Sequence, residues 1–437
     1  MDYDIIMEKL EVVASFDWLK NEETVGMLGY DNLRGSDVFS FEFTKEWLRN
    51  HPDILIGKDL QPFSGIQYAP SGKGIFGCFA DALPNRWGRR LIDLHVNKQQ
   101  LHEGLPRRRL SDWDYLKGVE DTLRTGGFRF KDLKTGKYLN ASTNYQVPPI
   151  LSLNELLEAA GEVEKSENKH TEPEDRWVER LFRPGSSVGG ARPKVCIADK
   201  GNIYIAKFPS VRDEIEISKW ECFAHKLAKD CGIRTAETRL VGTKSGHDIL
   251  LSKRFDRNSE GGRIHMASSL TLLGLSDGAG WQNGNGYLDI VDFIISHCCN
   301  VEKNLEELYR RIAFNICIGN SDDHFRNHSF LLTKKGWELS PAYDMNPTLS
   351  RHQALLIDEQ SNDASLDVLY NAHKSYMLDE HTAWGIITDV TRSMKYWDSI
   401  ARSCGIGKKE MESFSSRFED GMEWKYVRNT YKFNRKL

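Results

Sequence analysis

The feature that most restricts what this chain can fold into is a change of pattern along it. Beyond a charged connector that runs from about Ser152 to Asp175 the sequence opens with short runs of strand character, PKVCIAD and NIYIAKFP, joined by the turn residues Asp199-Lys200-Gly201-Asn202. From Leu366 onward the pattern is helical: LDVLYNAHKSYM, TAWGIITDVTRSM and KKEMESFSSRFEDGMEW. A stretch that starts β-rich and ends α-rich segregates its layers, which is an α+β arrangement.

Ahead of it, VGMLGYDNLRGSDVFSFEF reads as strand, turn, strand. The Gly- and Pro-rich PFSGIQYAPSGKGIFG follows, and a helical stretch begins near FADALPNRWGRRLIDLHV. The charged segment LNELLEAAGEVEKSENKHTEPEDR reads as a helix running into an exposed connector, with its polar stretch centred on Glu164 to Glu174. The expected organisation is an N-terminal part over 1–151, a β-rich portion over 152–256 and a helical portion over 257–437. The 437 residues suit two or three domains, and no repeat or low-complexity tract interrupts them.

Charge and cysteine usage exclude several classes. The 59 basic residues against 63 acidic ones argue against a surface coated for nucleic acid. Apolar runs fall short of the ~20 residues that a membrane span needs. The start, MDYDIIMEKLEVV, is acidic and lacks an apolar signal core. The 8 cysteines are scattered without a C-x-x-C, as free thiols in a reducing compartment would be. The expectation is a soluble cytoplasmic protein with no membrane association.

The segment Gly185-Ser186-Ser187-Val188-Gly189-Gly190-Ala191-Arg192-Pro193-Lys194 is a Gly/Ser-rich loop without the Walker A pattern. Its glycines would let backbone N–H groups face a phosphate; alone, such a cluster is more often a flexible hairpin. In the following strand Ile203, Ile205 and Lys207 share a face. Lys207 thus ends an apolar row, as an edge lysine or as an ammonium aimed at phosphates. In EIEISKWECFAHKLAKDCGI the stripe Ile217, Trp220, Ala224, Leu227, Ala228 and Cys231 encloses Glu221. A carboxylate there belongs at a wet margin or needs a basic partner, for which Lys207 is the candidate.

The strongest signal is Gly319-Asn320-Ser321-Asp322-Asp323-His324-Phe325-Arg326-Asn327, after the apolar run LYRRIAFNICI. Asp322 and Asn327 have the D-x-x-x-x-N spacing of a phosphotransfer loop, where the aspartate accepts a hydroxyl proton and the asparagine holds magnesium. Beyond the hairpin pattern HSFLLTKKGWELS comes Pro341-Ala342-Tyr343-Asp344-Met345, which supplies a second aspartate. Such oxygen donors suit Mg²⁺ rather than Zn²⁺; His324 and His328 lack an evident third ligand for zinc. Gly-rich loop, strand lysine, helix glutamate, D-x-x-x-x-N and later aspartate follow the order of a bilobal protein kinase with a β-rich small lobe and an α-rich large lobe. HDILLSKRFDR reads as the strand leading to its hinge, where adenine would meet the backbone of Lys253, Arg254 and Phe255.

SSVGGARPK, YIAKFP, LLSKRFDR, GNSDDHFRNHSFLL and LSPAYDMNP together resemble the core motifs of the HipA family of bacterial serine/threonine kinases, the toxins of HipBA-type toxin–antitoxin pairs. FADALPNRWGRRL and WDYLKGVEDTLRTGGFRF extend the resemblance upstream. It implies a kinase-like fold with an N-terminal α/β subdomain packed on the small lobe. It also implies Asp322 as catalytic base, Asn327 and Asp344 as magnesium ligands, and Lys207 as the phosphate-binding lysine. Val188, Gly189, Gly190, Ala191, Arg192 and Pro193 would form the nucleotide loop, with Lys253 to Phe255 as hinge and His324 and Tyr343 lining the ATP site. Ser187, with Ser186 beside it, matches the loop serine whose autophosphorylation ejects the loop and silences the kinase. Glu221 matches a helix glutamate that would pair with Lys207.

The resemblance further implies ATP and Mg²⁺ and a protein substrate of the translation machinery such as an aminoacyl-tRNA synthetase. It implies a helix-turn-helix antitoxin like HipB, with operator DNA reached only through that complex. The tail KYVRNTYKFNRKL carries Lys425, Arg428, Lys432, Arg435 and Lys436 without an acid, as a solvated tail or a contact to phosphates. Two competing readings are a small-molecule kinase of the aminoglycoside or choline type and a non-catalytic co-repressor module.

Overall fold

The computed structural model describes residues 8–70, 74–141, 146–185, 187, 190–244, 246–422 and 424. Twelve strands among them form three antiparallel sheets. The first holds β1 (Glu8–Ala14), β2 (Glu23–Leu33), β3 (Ser36–Phe43), β4 (Gln67–Tyr68) and β5 (Phe128–Asp132) in the order β4-β3-β2-β1-β5. Its β2–β3 hairpin closes on Arg34 and Gly35, both at positive φ, the twist that a two-residue turn requires.

The second sheet follows the order β6-β7-β9-β8, from β6 (Lys194–Asp199), β7 (Asn202–Lys207), β8 (Thr238–Gly242) and β9 (Asp248–Lys253). The third joins β10 (His265–Ser268), β11 (Ser329–Thr333) and β12 (Gly336–Leu339). Helices Ile217–Asp230, Tyr287–His297, Val301–Ile318, Glu380–Met394 and Lys408–Met422 carry the remaining core. No helix of the described residues is long and apolar enough to cross a membrane. All the cysteines are free thiols.

Two cores organise the molecule. One gathers Leu91 and Leu123 with helices Leu153–Asn168 and Asp175–Gly185 against Val195, Ile197 and Leu251 of the second sheet. The other runs without a break from Val12, Phe41 and Trp113 to Phe314, Ile387 and Phe418. The N-terminal part therefore does more than pack on the small sheet as expected. Phe16 stacks on His265 at 4.8 Å, and Trp337 Nε1 donates to the Leu55 carbonyl at 2.9 Å, joining it to the third sheet as well.

The connector also differs from the sequence reading. Helix Leu153–Asn168 continues past Glu164, which is buried and accepts from Ser210 Oγ at 2.7 Å and from the Val211 N–H at 3.2 Å. The exposed link is only the stretch 169–174, in which Pro173 is buried, before helix Asp175–Gly185, because the apolar face of Leu156, Ala160 and Val163 prolongs the first helix.

Candidate active site

Lys207 ends β7, and its ammonium lies 2.5 Å from Glu221 Oε1 and 2.6 Å from Asp344 Oδ1. Helix Ile217–Asp230 supplies the glutamate, so its place inside the apolar stripe is explained by the lysine. Burial opposes charge on Lys207, but the two carboxylates, Asp344 foremost, outweigh it and raise its pKa. Lys207 in turn holds the Asp344 carboxyl well below the usual carboxylate range, against burial. For Glu221 burial wins and its pKa is raised.

Lys194 stands directly across β6–β7 from Lys207. Like charges opposite one another in a sheet repel, and burial pushes the Lys194 ammonium down to about 8, while Asp344 and Glu221 oppose that shift. A buried and a half-buried lysine beside two carboxylates make a cluster whose repulsion a polyanion would relieve. Lys194 is absent from the sequence-based site. The signal for it is the turn at Asp199–Asn202, whose register pairs 194 with 207.

Gly190 has φ +83°, which favours glycine, and a Cβ there would lie 2.5 Å from Lys194 Nζ and displace that ammonium. Trp87 braces this segment at both ends: its N–H donates to the Gly190 carbonyl at 3.1 Å and its Nε1 to the Lys194 carbonyl at 2.9 Å. Arg192 is ion-paired with Asp213 and Ala191 is exposed, while the buried Pro193 accepts from the Phe208 N–H at 3.0 Å. Ser187 is 6% exposed, with Oγ 3.8 Å from Cys196 Sγ. Ser186, Val188 and Gly189 lie outside the described residues.

The expected hinge is partly committed to the sheet. The Lys253 N–H donates to the Glu237 carbonyl at 2.8 Å, and that of Arg254 to Ile203 at 2.9 Å. The Arg254 side chain points inward, donating to Asp256 and to the carbonyls of Leu123 and Arg124. Phe255 faces the Tyr343 ring, with centroids 5.5 Å apart.

Helix Val301–Ile318 ends at Gly319, whose φ of +70° and approach to the Thr348 carbonyl exclude a side chain. In the loop beyond it Asp322 is 83% exposed and 3.8 Å from His324 Nε2. Asn327 Nδ2 donates to the Asp322 carbonyl at 2.7 Å, which turns its amide oxygen away from that bond. Desolvation by the loop, then repulsion from Asp344 and Asp323, raise the Asp322 pKa against the pull of His324. The hydroxyl of Tyr343 donates to the Arg326 carbonyl at 2.6 Å, and Asp344 follows it at φ +57°, a left-handed conformation rare outside glycine. Arg326 reaches Asp277 at 2.7 Å and, at 3.7 Å, the half-buried Asp81 of the N-terminal part.

No group of three or more His, Cys, Asp or Glu side chains among the described residues is arranged to hold a metal ion. Asn327 and Asp344 are hard oxygen donors and fit Mg²⁺ that completes its shell with water and phosphate oxygens, as that ion usually does.

Residues 186–417 match the family described as HipA-like C-terminal domain. The serine/threonine-protein kinase toxin HipA of Shewanella oneidensis is 26% identical over 215 residues, 42% of this chain and 49% of that protein. Toxin YjjJ of Escherichia coli is 25% identical over 231 residues, 50% of this chain and 48% of that protein. The chain thus spans about half the length of these relatives. A solved complex of Shewanella oneidensis HipA, HipB and operator DNA contains a chain that superposes with a TM-score of 0.62 at 18% identity, covering 94% of this chain and 96% of that one. That likeness is one of fold.

Proposed function

As the chain belongs to the HipA-like C-terminal domain family, we propose that it is a serine/threonine protein kinase of bilobal form, with the β6–β9 sheet as small lobe and the helices after β10 as large lobe. The observation that carries the reading is the Lys207–Glu221–Asp344 cluster, which brings strand lysine, helix glutamate and late aspartate within hydrogen-bond distance. In the proposed reaction Lys207, held by Glu221, and Lys194 bind the phosphates of ATP, with the Gly190–Pro193 backbone beneath them. Adenine lies toward Phe255 and Tyr343 and uses the hinge carbonyls and the Phe255 N–H, since the N–H groups of Lys253 and Arg254 are taken.

Asn327 and Asp344 would hold Mg²⁺, which neutralises phosphate charge. Asp322 orients the acceptor hydroxyl and takes its proton. The hydroxyl oxygen forms the new bond to the γ-phosphorus while the bond to the bridging oxygen of ADP breaks. The acceptor is a protein, for which the translation machinery is the family expectation. The partner is a helix-turn-helix antitoxin of HipB type, through which operator DNA is reached. The basic tail lies outside the described residues.

The test is intact mass after incubation with Mg·ATP, wild type beside Asp322→Ala, with phosphopeptide mapping. Phosphate gained by the wild type alone supports a protein kinase. Phosphate transferred only to small metabolites overturns it in favour of a small-molecule kinase, and ATP binding without any transfer overturns it in favour of a co-repressor.

Ser187 is the proposed self-modification site. Because its hydroxyl faces Cys196 in the interior, the loop has to turn out before phosphate can be added. A phosphate there adds about −1.5 to −2 of charge and cannot return to that place. Ser187→Ala is expected to keep initial activity and to remove the slow self-inactivation in ATP. Activity that decays as fast as in the wild type would count against this role.

A further inference from the structure

The loop bearing Asp322 and Asn327 is anchored by a buried network that the proposed chemistry does not use. Asp323 is 3% exposed. Its Oδ2 accepts from Tyr287 OH at 2.6 Å and from Asn315 Nδ2 at 2.6 Å, and lies 3.0 Å from His328 Nε2. Tyr287 begins helix Tyr287–His297 and Asn315 sits near the end of helix Val301–Ile318, so two helices and the loop meet on one carboxylate oxygen. Asn320 Nδ2 donates to Asn315 Oδ1 at 3.1 Å, and Asn320 Oδ1 accepts from the Asn346 N–H at 3.4 Å, which extends the network to the segment just after Asp344.

The sequence positions give this arrangement its meaning. Asp323 directly follows Asp322, and His328 directly follows Asn327. The inner pair is buried while Asp322 points out and Asn327 is half-buried. Each outward group is thus one peptide from an inward anchor, and the two anchors meet. A buried carboxylate with two hydrogen bonds and a histidine contact is costly to disturb, so it fixes the backbone on either side of it.

We propose that Asp323 and His328 are positioning residues, Asp323 setting the direction of Asp322 and His328 that of Asn327. The proposal rests on the kinase reading, and neither residue touches a reactant.

Asp323→Asn keeps the shape of the side chain and removes its charge; His328→Gln keeps a donor without the ring. Rates as a function of ATP and of magnesium are to be measured on the full chain, together with hydrogen exchange of the amides of 319–328. Asp323→Asn is expected to lower kcat by about 100-fold with the KM for ATP little changed, the cost of a small misplacement. His328→Gln is expected to raise the magnesium needed for half-maximal rate by about tenfold, as outer-shell changes do. In both variants loop amides exchange faster while those of β6–β9 do not. Tyr287→Phe, which removes one hydrogen bond and no charge, gives the same pattern in smaller measure and serves if Asp323→Asn does not fold.

Wild-type kcat, magnesium dependence and loop exchange in the folded variants would overturn the proposal. A wild type that transfers no phosphate overturns the kinase reading instead; loop exchange then decides the anchoring by itself, unchanged exchange sinking it and selective acceleration supporting it.

Discussion

Asp322→Ala is expected to reduce phosphotransfer by about a thousandfold while the chain stays folded and still binds ATP. The carboxylate is 83% exposed, so its removal opens no cavity. General-base catalysis contributes on the order of 10²–10⁴ to such a step. The same residue sets the expected acid limb. A base must be ionised to work, and the Asp322 pKa is raised, so activity falls with decreasing pH through a value above that of an ordinary aspartate. Asp344 cannot produce that limb, since Lys207 keeps it ionised to much lower pH. Single-turnover rates against pH check both points. Near-wild-type turnover in the variant, or a limb at or below the ordinary aspartate value, would remove Asp322 from the role.

The largest expected effect on stability is at Asp256. This buried carboxylate accepts from Arg254 Nε at 2.9 Å and Nη2 at 2.6 Å, from Arg257 Nη1 at 2.8 Å, and from the Gly126 N–H at 3.0 Å. Replacing it with alanine leaves two buried guanidiniums without their anion, a change that costs about 3–5 kcal/mol. Equilibrium urea unfolding is the measurement, with a markedly lower midpoint expected. Despite burial, Arg254 and then Arg257 hold the Asp256 carboxyl far below the usual range. Its contribution is therefore fully present above an unfolded aspartate's pKa and fades only as pH falls toward the depressed folded value. Asp256→Ala should accordingly lose its disadvantage relative to wild type in strong acid. A midpoint within experimental error of wild type at neutral pH would contradict the assignment.

How much of this was legible in the sequence depended on whether a residue's role was local. The β6–β7 hairpin, the β11–β12 hairpin and the late helices follow from turn residues and periodicity, and the structure has them. Lys207 stands out because it ends an apolar row, and Glu221 because it interrupts an apolar stripe. Their contact rewards that reading. Lys194 is harder to see, since it opens its strand and only the pairing register brings it opposite Lys207. Trp87, Asp81 and Asp323 act through partners distant in sequence or hidden in the core, and no period or spacing marks them. Glu164 misleads for a related reason: its charge suggests solvent, while its partners at Ser210 and Val211 lie on another segment.

The indole of Trp87 under the Gly190–Lys194 segment and the Leu123 and Arg124 carbonyls over Arg254 have a bearing on inheritance. The stretch shared with the family begins at residue 186, yet groups that hold its Gly190–Lys194 segment and its Arg254 stand upstream of it. The recognisable stretch is thus not self-contained in its contacts. Excising 186–417 would remove the indole that braces the Gly190–Lys194 segment and the carbonyls that accept from Arg254, while leaving Arg254 its ion pair with Asp256, so the isolated stretch is expected to be less stable than the same residues in the whole chain.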